Sequence, residues 1–127
     1  MDDGPTPPRT PRFPRTVYDA GQEPDPRFSL ANERTFLAWI RTSLAMVAAG
    51  VALEALSLPL QPDLRFAAAS VLVVMGVFAP VQAWWGWSRD ERAMRRGEPL
   101  AAPLLAAPLA AGTALAAVLV LFGLVLG

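Results

Sequence analysis

Three long apolar runs constrain this sequence more than any other feature. They span about Phe36 to Leu58, about Phe66 to Trp87 and about Pro103 to Leu126. Each reaches or exceeds the ~20 residues a helix needs to cross a ~30 Å hydrocarbon core. The second carries no charge between Arg65 and Arg89, and the third none after Glu98. In a chain of 127 residues, 54% hydrophobic and only 17% charged, too little polar surface remains to cover three such helices in water. Lipid supplies no partner for backbone polar groups, so these segments must satisfy their own as helices. The expected fold is all-α: a membrane protein with three transmembrane helices, about 30–58, 64–88 and 103–126, in one domain from 29 to 127.

Residues 1–28 contrast with the rest. They hold seven of the thirteen prolines and no apolar run, and such a stretch cannot bury enough surface to offset its ordering entropy. A disordered cytoplasmic tail is the expectation. Pro8, Pro11 and Pro14 fall at the three-residue period of polyproline II, with Arg9 and Arg12 between them. A solvated tail is preferred to a ligand for a proline-reading module. No secretory signal is expected, because no apolar segment follows the charged start.

Loop charge sets an expected orientation. Arg27 and Arg34 sit just before the first span, and the connection Ser88–Pro99 carries Arg89, Arg92, Arg95 and Arg96, whereas Ser57–Leu64 carries only Asp63. The positive-inside rule places the N-terminus and the second connection in the cytoplasm and the C-terminus outside. Trp84, Trp85 and Trp87 fall where an interfacial aromatic belt belongs. Ser29 or Asn32 is expected to cap the first helix, with Glu33 at the positive end of its dipole, and Asp63 to cap the second. Pro80 interrupts the second span and frees a carbonyl that a neighbouring helix must satisfy.

With no Cys and no His, the chain lacks a thiolate, the commonest general base and the commonest metal ligand. No carboxylate pair or serine with a base is spaced for catalysis, so neither an enzyme nor a metal or cofactor site is expected. Zero formal net charge gives no pointer to nucleic acid.

The first helix carries the charge worth explaining. At 100° per residue, Arg34, Ala38, Arg41, Ala45, Ala48 and Ala52 share a stripe roughly 80° wide. The opposite side holds Phe36, Trp39, Ile40, Met46 and Val47. Small residues admit a close helix and bulky apolar ones suit lipid, so Ala38, Ala45, Ala48 and Ala52 are the expected packing positions. Arg41 lies about 8 Å beyond Phe36 along the axis. One reading makes it an anchor that snorkels to the interface. The other makes Arg34 and Arg41 successive positive rungs, which an oligomer would turn into guanidinium rings that attract phosphate-type anions. Glu33 either pairs with an arginine or simply suits the dipole. Glu54 is expected to snorkel outward or to meet Arg65. The cluster Arg89, Glu91, Arg92, Arg95 and Arg96 fits anionic lipid head groups or a polyanion, and equally a charge cluster that sets topology.

Two stretches carry a family resemblance. Asp25-Pro-Arg-Phe28 followed by LANERTFLAWIRTSLAM resembles the hallmark of the DUF202 family, three-helix membrane proteins of the YidH type. WSRDERAMRRGEPL is similar to the family's segment after its second helix, with Ala101 where a proline is the family's usual residue. The resemblance implies a bacterial inner-membrane protein. It also implies likeness to the membrane part of the eukaryotic vacuolar transporter chaperone, where this domain resembles a channel for polyphosphate. Carried over, Asn32, Glu33 and Arg34 would lie at the cytoplasmic mouth with Arg41 deeper; the polymerase has no counterpart in this chain. The expectation is a homo-oligomeric module with an Arg-lined anion path. The alternative is a structural or chaperone-like subunit that stabilises a partner membrane protein.

Overall fold

The computed structural model describes residues 11–102, 104 and 106–127. Pro8, the first ten residues of the tail, and the expected start of the third helix at Pro103 lie outside the described residues. The chain forms α1 (Arg15–Tyr18), α2 (Pro26–Ala55), α3 (Pro62–Arg96) and α4 (Ala106–Leu126). Of these, α2, α3 and α4 are long and apolar enough to cross a membrane.

Helix starts differ from expectation for a common reason. Asp25, not Ser29 or Asn32, caps α2: its side chain accepts from the Arg27 backbone N–H at 2.9 Å, and Pro26 occupies the first helical position. A proline there is pre-set for the helix and lacks a donor that would be orphaned anyway. The Arg27 side chain turns back to Asp25 Oδ2 at 2.7 Å and holds that carboxyl below the usual carboxylate range. In α3 the cap is Gln61, whose Oε1 accepts from Leu64 N–H at 2.8 Å ahead of Pro62, while Asp63 sits in the first turn.

The end of α3 is also later than expected. Residues 88–96, read from their charges as a connection, continue the helix to Arg96. Arg, Glu, Ala and Met are good helix formers, and Ser88, Glu91 and Arg95 return to one buried side. At 35 residues, α3 is about 52 Å long and outruns a ~30 Å hydrocarbon core. Gly97, at φ 67°, ends it: Glu98 N–H bonds Ala93 O at 2.9 Å and Gly97 N–H reaches Met94 O at 3.4 Å, the paired closure that a left-handed glycine permits.

The tail departs most from expectation. Residues 14–25 are not loose: α1 packs on α3 and Val17 is fully buried. The protruding part of α3 supplies a surface that proline content alone does not reveal.

Helices α2 and α3 run antiparallel, as Asn32 beside Glu91, Ser43 beside Gly76 and Glu54 beside Arg65 show. Two glycines permit the close crossing. A Cβ on Gly50 would stand 2.8 Å from Ala69 O, and one on Gly76 would stand 3.0 Å from Ser43 O. Helix α4 packs antiparallel on α3, with Gly112 at Met75 and Gly123 at Leu60 and Leu64. Gln61 N–H donates to Gly123 O at 2.9 Å and ties the α2–α3 connection to the end of α4. Among the described residues, α2 and α4 each pack on α3 and not on each other.

The inward side of α2 is therefore Asn32, Ser43, Met46 and Gly50, with Val47 against Gly76. Met46 and Val47, expected to face lipid, pack within the chain. Ala38, Ala45 and Ala48, expected to pack, are exposed on this chain. Pro80 frees the Gly76 carbonyl one turn earlier, and Ser43 Oγ donates to that oxygen at 2.5 Å. Ser43→Ala leaves it without this buried donor and is expected to cost about 1–2 kcal/mol, read as a lowered midpoint of unfolding in detergent.

Candidate functional site: a polar knot and an arginine stripe

The two motif stretches meet where α3 begins to protrude. Glu91, only 3% exposed, receives Ser29 Oγ on Oε1 at 2.6 Å and Asn32 Nδ2 on Oε2 at 3.1 Å. The Asn32 amide also donates to Trp87 O at 3.1 Å. Ser29 and Asn32 lie nearly one turn apart on α2, so one carboxylate of α3 bridges a full turn of its neighbour. A buried carboxylate is tolerated when donors take both its oxygens.

One turn further along α3, Arg95 is 4% exposed and gathers the N-terminal segment. Its Nε donates to Ala20 O at 2.8 Å and its Nη2 to Tyr18 O at 2.7 Å. Its Nη1 lies 3.3 Å from Glu23 Oε1, a carboxylate that Arg12 also pairs with. Gln22 N–H returns to Arg95 O at 2.8 Å. Between these contacts Gly21 takes φ 49°, and a Cβ there would overlap the Arg95 carbonyl, so only glycine fits. The Arg12 guanidinium lies 4.4 Å from the centre of the Tyr18 ring, within cation–π range. Residues 12–23 thus form a strap held by one buried arginine.

Aromatic rings pack beside the knot. Trp84 and Trp87 are 5.2 Å apart between centroids, Phe36 lies 6.3 and 6.5 Å from them, and Tyr18 lies 6.3 Å from Trp87. Next to this cluster a cavity of about 640 Å³ opens, lined among others by Trp39, Trp84, Trp87, Arg89, Asp90 and Arg92.

The other expected site residues lie elsewhere. Of the Asn32-Glu33-Arg34 trio, only Asn32 enters the knot, while Glu33, Arg34 and Arg41 are exposed. Arg34 and Arg41 have no ion-pair partner among the described residues, whereas Arg12, Arg27, Arg65, Arg89 and Arg95 each have one. Glu54 meets Arg65 at 3.4 Å. Arg92 is half-buried and Arg96 exposed, so the charge cluster divides between the knot, the cavity and solvent. Sequence reasoning did not pair Ser29 with Glu91. Glu91 and its other partner, Asn32, stood inside the two family-like stretches, and that coincidence was the available signal. Among the described residues no three acidic side chains converge as a metal ion would require.

Comparison with known proteins finds relatives of this sequence. The model described as a domain of unknown function (DUF202) covers residues 27–93, which takes in Asn32 and Glu91. The Escherichia coli inner membrane protein YidH is 47% identical over 81 residues, 63% of this chain and 70% of the relative. An uncharacterized Mycobacterium tuberculosis protein is 47% identical over 79 residues, 61% of this chain and 65% of the relative. No solved structure matches the chain.

Proposed function

Because this chain belongs to the DUF202 family, we propose that it serves in the bacterial inner membrane as a homo-oligomeric module with an Arg-lined path for phosphate-type anions, and not as an enzyme. The name of its E. coli relative supports the membrane. Loop charge supports an N-terminus and α3 extension in the cytoplasm and a C-terminus outside. The observation that carries the reading is the exposure of Arg34 and Arg41 on the alanine stripe of α2, without ion-pair partners among the described residues. An unpaired arginine is costly at membrane depth unless it faces water or protein. With α2 and α4 on separate flanks of α3, one chain encloses no lumen, so the path requires several copies around the stripe. Two rungs one heptad apart stand about 10 Å from each other along the axis and would hold successive charges of an anion chain. The knot fixes the rotation of α2 through Asn32 and thereby directs both arginines away from α3.

The test is flux of phosphate and of short polyphosphate into liposomes, with native mass spectrometry of the same protein. Arg34→Ala with Arg41→Ala is expected to lower flux at least about tenfold with the oligomer unchanged, and undiminished flux would overturn the reading. The exposed alanines also suit a second reading, a subunit that stabilises a partner membrane protein. That role predicts tolerance of the arginine changes and failure on Ala45→Leu or Ala48→Leu, which block close helix approach.

A further inference from the structure

The cavity beside the knot, which Asn32 also lines, holds charged residues that neither the stripe nor the knot uses. Its volume of about 640 Å³ lies within the range of small-molecule sites. Its lining is of two kinds: Trp39, Trp84 and Trp87 are aromatic, and Arg89, Asp90 and Arg92 are charged. Such a division suits an amphiphile, and it falls where tryptophans mark the end of an apolar span, the depth of lipid head groups. Arg89 Nε and Asp90 Oδ1 are buried without a hydrogen-bond partner among the described residues. Their separation of 3.8 Å is too long for a bond between them. Arg89 and Arg92 against Asp90 leave the wall one positive charge in excess, which one phosphodiester would neutralise.

We propose that this cavity is a binding site for an anionic phospholipid, its phosphate held by Arg89 and Arg92 and its glycerol and upper acyl chains against the tryptophans. Guanidinium groups favour phosphate oxygens through charge-assisted, forked hydrogen bonds. A basic pocket between membrane helices on the head-group side is a recurrent lipid site. The site is independent of the anion path: it lies between α2 and α3 beside the knot and uses neither Arg34 nor Arg41.

The experiment is a titration of the purified, delipidated full chain in detergent with phosphatidylglycerol, phosphatidylethanolamine or inorganic phosphate, read by native mass spectrometry. The wild type is expected to retain phosphatidylglycerol at least tenfold more tightly than phosphatidylethanolamine, with no displacement by millimolar phosphate. Arg89→Gln with Arg92→Gln should lose that retention at least tenfold. Arg15→Gln with Arg96→Gln, which removes the same charge from exposed positions outside the cavity, should not. Circular dichroism and unfolding midpoints establish that both pairs remain folded. Equal loss in the two pairs would reduce the effect to diffuse charge and overturn the site. Equal retention of phosphatidylethanolamine would overturn the charge assignment, and displacement by phosphate would overturn the lipid.

Discussion

Arg95→Met should release the N-terminal strap and make Arg12 and Arg15 cleavable by trypsin about 100-fold faster than in the wild type. The guanidinium makes two hydrogen bonds to backbone carbonyls, at Tyr18 and Ala20, and an ion contact to Glu23. Bonds to a charged group contribute about 1.5–3 kcal/mol each. Glu23 is half-exposed and keeps Arg12, so its share is small. The lower bound for the two carbonyl bonds is therefore about 3 kcal/mol. At 1.4 kcal/mol per tenfold, this raises the open population about 100-fold, and cleavage follows that population when reclosing is fast. Methionine fills the stem volume, which separates lost bonding from lost packing. Arg96→Met, one residue on and exposed, should leave cleavage unchanged. An Arg95→Met protein that is cut no faster would show that the strap is held by Val17, the Tyr18–Trp87 contact and the Gln22 bond to the Arg95 backbone carbonyl.

Gly76→Leu should prevent the α2–α3 pair from forming in its present register. A side chain at this position points into the backbone of α2, where the Ser43 carbonyl stands 3.0 Å from the first added carbon. Overpacking a yielding core costs about 1–3 kcal/mol. A helix backbone cannot yield by a rotamer change, and separating the helices also breaks the Ser43 bond that satisfies the carbonyl freed by Pro80. The expected loss exceeds about 3 kcal/mol, read as a collapsed unfolding midpoint and altered tryptophan fluorescence in detergent. Gly76→Ala should fall between, because Val47 can shift. Gly86→Leu is the control, since nothing lies within 4 Å of a Cβ there. Equal damage from Gly86→Leu and Gly76→Leu would mean that helix flexibility, not close approach, is what glycine supplies.

Membrane-spanning helices were legible because run length and charge depletion are local properties. Of the two alternatives for Glu54, snorkelling outward or meeting Arg65, the structure has the second, since antiparallel neighbours bring those ends together. The facing of α2 was not legible. Its stripe of alanines reads as a face for another helix or for water, while the close crossing within the chain is set by Gly50 and Gly76, one on each helix, where the backbones nearly touch. A better signal was present: Asn32, Ser43 and Gly50 are separated by eleven and seven residues, both close to whole numbers of turns. A polar or side-chain-free residue repeated on one face of an apolar helix marks the face that must avoid lipid. Residues 88–96 were misread because charge suggests a loop, while propensity and a buried partner favour helix. The strap escaped for a related reason. Its order depends on Arg95, some seventy-five residues away, and no local pattern encodes that.

Because α4, among the described residues, packs on α3 and the α2–α3 connection but not on α2, the fold can be acquired in the order of synthesis. The α2–α3 hairpin closes its knot, its glycine crossing and its strap with no contribution from the last helix, and α4 then docks onto a finished surface. Damage confined to α4 therefore produces molecules whose first two spans are correctly joined while the third drifts in the bilayer, a failure of completion rather than of folding.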